Sequence, residues 1–361
     1  MENSVYIDLL QKLMRCKAVS SDKAAVNQAS AILLSFLREN GVNCTVEDCF
    51  GYNVLYASTV EGKKTDLLLN AHIDVVPAMN EKQYTPEIKD GVIYGRGSSD
   101  CQGSAVCIAQ ILVRLMGSGK AVSCFFTCDE EIGGKTTAEM VARGYGEGAK
   151  LVAIVDASSY KIAISQKGIV SVTVTATGQT GHSSQPWLFK NALDELVDAY
   201  VKLRDAWPKP DMGGNLLDYN SMALCQIHGG FAHNQIPDKA SMVLNFRVTK
   251  DGDVEKTLDF VRKATCLDVS IIETCEPVNC DENAPALQSL KKEMEAFFKG
   301  HEITWHHMFG ATDARHFKKM GTPIAILGLD GNGAHSANER LPLDSIQETA
   351  DFFVQFAKKE F

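Results

Sequence analysis

Leu67-Leu68-Leu69-Asn70-Ala71-His72-Ile73-Asp74 reads as a short buried strand whose apolar run ends in a His and an Asp two positions apart. Similar apolar runs recur at 53–57, 122–127 and 151–155. Amphipathic patterns of helical period occupy 6–16, 23–39 with a stop at Gly41, and 102–116. Helices placed between buried strands predict an α/β domain built on a mainly parallel sheet flanked by helices.

Near Gly168 the period changes. Val170, Val172, Val174 and Ala176 alternate with Ser171, Thr173, Thr175 and Thr177, the pattern of a half-exposed strand. A helix at 191–207, strands at 221–228 and 240–248, a helix at 254–265 and a strand at 267–274 follow. This βαββαβ order is the signature of an α+β ferredoxin-like layer. After Pro277 the helix-strand alternation resumes, with a helix at 286–299, a strand at 323–327 and a helix at 344–359. The expected organisation is an α/β domain of residues 1–167 and 281–361, interrupted by an inserted domain of residues 168–280. At 361 residues the chain exceeds the usual size of one hydrophobic core, which agrees with two domains.

The balance of 45 acidic against 36 basic residues gives a net charge of −9, with no extended Lys/Arg cluster, so nucleic acid is not an expected partner. The first residues lack the basic start and apolar core of a signal peptide, and no apolar run approaches membrane-spanning length. A cytoplasmic protein is expected. Eleven cysteines without a CxxC pair, mostly within apolar runs, read as reduced and packed thiols.

Five pieces carry chemistry. His72 and Asp74 share one face of their strand end, so His72 could meet a cation while Asp74 holds the second ring nitrogen; a satisfied polar strand end is the plain alternative. In Tyr94-Gly95-Arg96-Gly97-Ser98-Ser99-Asp100-Cys101, Asp100 stands just before a helix and reads either as an N-cap or as a functional acid. Asp129-Glu130-Glu131 end a buried strand, and three adjacent acids there call for a compensating cation or for open solvent. Glu130 and Glu131 point in different directions, so one could bind metal and the other move protons. Asp156 ends the strand at 151–155, and His335 lies in Gly331-Asn332-Gly333-Ala334-His335-Ser336. Ligands gather at the carboxyl edge of open α/β sheets, and an oxygen and nitrogen donor set without thiolate suits a co-catalytic pair of zinc ions.

These segments, in this order and over nearly the whole chain, resemble the zinc-dependent family of acetylornithine deacetylase, succinyl-diaminopimelate desuccinylase, aminoacylase and glutamate carboxypeptidase. The motifs that carry the resemblance are His72-Ile73-Asp74-Val75-Val76-Pro77, Gly95-Arg96-Gly97-Ser98-Ser99-Asp100, Asp129-Glu130-Glu131-Ile132-Gly133-Gly134, Gly178-Gln179-Thr180-Gly181-His182-Ser183-Ser184 and His335. The resemblance implies a zinc-exopeptidase-like catalytic domain with an inserted lid and dimerisation domain. It implies two Zn2+, for which Co2+ or Mn2+ could substitute: His72 and Asp156 on one, Glu131 and His335 on the other, Asp100 bridging. Glu130 would be the general base that takes a proton from a water shared by the ions. His182 would steady an oxyanion in a neighbouring subunit's site, while Asn234 and Arg247 would contact substrate, Arg247 by clamping a carboxylate.

The implied reaction is cleavage of the amide bond of a small peptide or N-acyl amino acid bearing a free carboxylate, by a homodimer. The run Phe309-Gly310-Ala311-Thr312-Asp313-Ala314-Arg315 resembles a loop that lines the pocket, with an ordinary helix start at Thr312 or Asp313 as the alternative. Two departures weaken transfer of the deacetylase name: Asp156-Ala157 stands where many members have Glu-Pro, and Cys101 follows Asp100 in place of Met. A catalytically silent metal-binding protein on the same fold is the competing reading, and intact Glu130 argues against it. A hydrolase using Cys101 as nucleophile is a third.

Overall fold

The computed structural model describes residues 3–361. They form two compact units. One takes the chain up to Ile164 together with Cys280–His306 and Thr312–Phe361; the other comprises Ser165–Asn279 and His307–Ala311.

In the first unit, helices α1 (Asn3–Arg15) and α2 (Lys23–Glu39) precede a hairpin of β1 (Asn43–Cys49) and β2 (Tyr52–Ser58). The α2 start is set by Asp22, whose carboxylate accepts the N–H groups of Ala24 and Ala25. Then come β3 (Leu67–His72), α3 (Gln102–Leu115), β4 (Val122–Thr127), α4 (Lys135–Ala142) and β5 (Leu151–Val155). Every residue of β3, β4 and β5 is buried, as expected for strands covered on both faces. β3 runs parallel to both β4 and β5, with His72 opposite Thr127 and Leu67 opposite Leu151. Helix α3 is buried almost all round because it packs against β3, α1 and the C-terminal helix Leu343–Glu360. The strand Ile324–Leu327 lies parallel to β5 on its other side, and the antiparallel β2 flanks β4. The fold class is therefore the expected one, a mixed α/β unit with a mainly parallel centre. The β1 strand escapes the sequence reading because its half-exposed residues show no clean apolar alternation.

The second unit contains β6 (Gly168–Thr177), α5 (Ala192–Ala206), β7 (Ser221–Gly229), β8 (Lys239–Val248), α6 (Asp253–Thr265) and β9 (Asp268–Cys275). The sheet order is β7-β8-β6-β9, antiparallel throughout, the arrangement of a ferredoxin-like layer. Val170, Val172, Val174, Met242, Leu244 and Phe246 form one core with Leu196, Leu203 and Leu258 of the two helices. The segment His307–Ala311 joins this unit, although the sequence placed it in the α/β domain. Contacts distant in sequence hold it there: Ser165 Oγ lies 2.6 Å from His307 Nδ1, and the Lys167 N–H donates to the Met308 carbonyl.

Among the described residues no helix is long and apolar enough to cross a membrane. The cysteines form no disulfide among the described residues. Phe246 is fully buried with its ring centroid 5.0 Å from that of Trp207. Phe246→Ala should destabilise the inserted unit by about 3–5 kcal/mol, seen as a lower urea midpoint of the transition that exposes Trp207.

Candidate metal centre

The parallel register brings the carboxyl ends of β3, β4 and β5 side by side, and the chain beyond each end supplies acids and an imidazole. Asp100 stands at the middle of the group. Its Oδ1 lies 3.0 Å from His72 Nε2 and its Oδ2 lies 3.1 Å from His335 Nε2. On the His72 side, Asp156 Oδ1 is 3.8 Å from the same Nε2. On the His335 side, Glu131 Oε2 is 3.1 Å from the ring nitrogen. These contacts fall on either side of Asp100, with a Glu131 oxygen still within 4.8 Å of a His72 nitrogen.

Each donor is held by groups outside the cluster. His72 Nδ1 faces the Asp74 main-chain oxygen at 2.9 Å, closer than the Asp74 carboxylate at 3.4 Å. With Nδ1 donating to that carbonyl, Nε2 is left facing the acids, where its N–H donates to Asp100. The Asp74 carboxylate, which the sequence reading placed behind this ring, lies against Nδ1 and also accepts the Ser20 hydroxyl at 2.6 Å and the N–H groups of Glu130 and Glu131 at 3.3 Å each. Asp74 thus orients the strand-end turn that carries the two glutamates.

The three consecutive acids diverge. Asp129 turns inward to accept the Thr136 N–H and hydroxyl, and burial raises its carboxyl to about 6. Glu131 faces His335, while Glu130 lies with Oε1 3.9 Å from Arg315 Nη2. The turn ends at Gly133 and Gly134, both with positive φ. A Cβ on Gly134 would sit 2.2 Å from Asp313 Oδ1, so only glycine fits. Asp313 does not cap the helix Ala314–Phe317; the Thr312 hydroxyl accepts the Ala314 N–H, and Asp313 takes the hydroxyls of Thr127 and Thr137.

Asp100 is not an N-cap either. Cys101 occupies the α3 cap without a side-chain bond, and the Asp100 carboxylate is spent on the two histidines. Cys101 is fully buried, its thiol donates to the Val155 carbonyl at 3.2 Å, and burial holds it well above the ordinary thiol range. A nucleophilic cysteine needs accessible thiolate, so the Cys101 hydrolase reading has no support.

Packing these groups together displaces their protons. Burial lifts the Asp156 carboxyl to about 8 despite attraction to His72, and it lifts Glu130 and Glu131 as well. Asp100 behaves oppositely, since hydrogen bonds with His335 and His72 outweigh its burial and hold it below the usual carboxylate range. The bond to Asp100 in turn raises His335 to about 9. Protons thus compensate crowded negative charge where divalent cations could do so. A set of imidazole nitrogens and carboxylate oxygens fits such cations.

His182, Asn234 and Arg247 belong to the second unit. His182 pairs with Gln235, and the Ser183 N–H donates to the Asn234 carbonyl at 3.0 Å, so the two loops carrying His182 and Asn234 are adjacent. Arg247 lies on β8 opposite Ile169, on the sheet face away from the buried Phe246 and Val248. Sequence reasoning missed Ser20 and Glu339. Glu339 accepts the N–H groups of Ser99 and Asp100, both at 3.0 Å, and pairs with the buried Arg96. Arg96 was visible within its motif, but nothing in the sequence couples it to an acid more than 200 positions away.

A model of the family described as peptidase family M20/M25/M40 matches residues 68–359. A succinyl-diaminopimelate desuccinylase of Ruegeria sp. (strain TM1040) is 27% identical over 370 residues, covering 94% of this chain and 91% of the relative. Among solved structures, an M20 family metallo-carboxypeptidase from Sulfolobus solfataricus superposes with a TM-score of 0.83 at 17% identity, covering 99% of each chain. A dinuclear metal-binding M20 peptidase from Bacillus subtilis gives 0.72 at 12% identity, covering 99% of this chain and 97% of that one. These two likenesses establish the fold.

At pH 7 His335, at about 9, and Asp156, at about 8, hold their protons. Ligation of a cation by these groups would require loss of those protons and of the one that neighbouring acids hold on His72, so adding zinc should release protons. Apparent affinity should rise with pH. Calorimetry at pH 7 in buffers of different ionisation enthalpy measures the release, and a heat independent of buffer would contradict it.

Proposed function

The chain belongs to the peptidase family M20/M25/M40, whose members hydrolyse amide C–N bonds with the help of metal, and we propose that it uses two zinc ions to cleave a small peptide or N-acyl amino acid bearing a free carboxylate. One observation carries the reading: Asp100 presents one oxygen to His72 and the other to His335. There Asp100 would hold two cations together, with Asp156 completing the ligand set beside His72 and Glu131 the one beside His335. Cobalt or manganese could occupy the same donors. The desuccinylase relative and the dinuclear peptidase neighbour support the substrate class and the metal count.

When bound, the ions supply Lewis acidity toward the amide carbonyl and acidify a water. The chain's own residues do the rest. Glu130 takes the water's proton on its carboxylate and delivers it to the leaving nitrogen. Arg315 lies beside the Glu130 carboxylate and favours its charged form, against burial and the repulsion of Asp313. Asp74, through the amides of Glu130 and Glu131, keeps the base and the neighbouring ligand in separate directions. We assign oxyanion stabilisation to His182 and substrate contact to Asn234 and Arg247, the guanidinium clamping the substrate carboxylate. We also infer a homodimer through the inserted unit, and a cytoplasmic setting, which suits cysteines outside any disulfide.

Glu130→Gln tests the central assignment. It should retain two zinc ions by elemental analysis while turnover falls by roughly three or more orders of magnitude, as for loss of an essential base; near-normal turnover would reject that role. Arg247→Ala should raise KM about ten- to hundredfold for substrates with a free carboxylate, the scale of one lost charge-assisted pair. Equal effects on amidated substrates would rule the clamp out.

A further inference from the structure

Arg96 and Glu339 are paired inside the first unit, with side-chain exposures of 1% and 0%. Glu339 does more there than neutralise a cation. Its Oε1 accepts the N–H groups of Ser99 and Asp100, each at 3.0 Å, and its main-chain oxygen accepts the Gly95 N–H at 3.0 Å. It therefore grips the glycine-rich turn by its backbone, leaving both Asp100 carboxylate oxygens for His72 and His335.

Glu339 also belongs to the loop that carries His335. Asn332 and Arg340 exchange two backbone hydrogen bonds, at 3.0 and 2.9 Å, and so close that loop with His335 and Glu339 inside it. Gln83 adds a second tie, its amide donating to the Ser336 carbonyl at 2.9 Å while its main-chain oxygen accepts the Arg96 N–H at 2.8 Å. The Asp100 turn and the His335 loop are thereby joined through one buried carboxylate. His335 needs such an anchor, because its side chain is 56% exposed and its backbone is left-handed, with φ of 61°.

We propose that Glu339, seated by Arg96, is a positioning residue that sets the separation between Asp100 and His335, so that the half-site of His335, Glu131 and Asp100 is formed before a cation arrives. The inference rests on the dinuclear reading above. Its physical basis is preorganisation: a ligand loop held by fixed hydrogen bonds does not have to be ordered at the moment of binding. An amide at 339 has one oxygen where the carboxylate has two, so either the Ser99 and Asp100 N–H groups or the buried Arg96 cation must face its NH2 group. The His335 half-site should suffer more than the one built on His72, which sits on a buried strand.

The experiment titrates metal-free wild type and Glu339→Gln with zinc by calorimetry, alongside thermal unfolding of both metal-free proteins. Wild type should take two zinc ions, and the variant should bind the second about ten- to hundredfold more weakly, with a smaller change in the first. A wild type that takes only one zinc ends the dinuclear reading and this inference with it. A wild type that takes two, beside a folded variant with unchanged zinc affinities, overturns the positioning role alone, even if the variant melts at a lower temperature. If Glu339→Gln does not fold, Glu339→Asp keeps the charge beside Arg96 while shortening its reach to the amides, and the same weakening is expected. Hydrogen exchange on metal-free wild type decides without any variant: the Ser99 and Asp100 amides should exchange slowly, and rates typical of open loops would overturn the proposal.

Discussion

The structure is organised around one electrostatic constraint: several carboxylates must share the closed end of a sheet that water hardly reaches. Like charges at such short range cannot all stay ionised in a low-dielectric setting. Burial lifts Asp156, Glu130 and Glu131, while the imidazoles of His72 and His335 keep Asp100 charged. The compensation is partial and depends on protons. Divalent cations supply concentrated positive charge to the same oxygen and nitrogen donors, so a metal-dependent hydrolase is a natural use of such a site.

A second set of acids, beside the first, is bonded to hydroxyls and amides. Asp74 accepts the Ser20 hydroxyl and the amides of Glu130 and Glu131, Asp129 accepts Thr136, and Asp313 accepts Thr127 and Thr137. Asp74 and Asp129 meet their hydrogen-bonding demand within the protein, as buried carboxylates must, while Asp313 accepts both hydroxyls on Oδ2. Side chains that look interchangeable in the sequence thus divide by environment: those paired with hydroxyls and amides are scaffold, and those left facing imidazoles are available to a cation.

The inserted unit follows a different packing logic. Its sheet is covered on one face by α5 and α6, so its strands alternate, and the apolar half of each strand forms a core of its own around Phe246 and Trp207. The other half remains polar and carries Arg247. One-sided burial leaves a face free for function without disturbing the core that stabilises the unit.

Much of this was legible from local pattern. Buried strands are unbroken apolar runs, half-buried strands alternate, and helices repeat at their own period, so the parallel centre and the βαββαβ insertion could be read before any coordinates. The motif residues His72, Asp100, Glu130, Glu131, Asp156 and His335 were likewise visible, because strand ends and glycine turns announce themselves locally. Tertiary structure decided which of two roles each acid plays. Asp100 could have been a helix cap and instead faces His72 and His335; Asp74, read as the partner of the His72 ring, lies beside it and also holds the glutamate turn. Contacts across long sequence separations, such as Glu339 with Arg96 and Asp313 with Thr127, leave no periodic trace in either partner. They arise only when the folded chain brings a buried charge to the nearest group able to satisfy it.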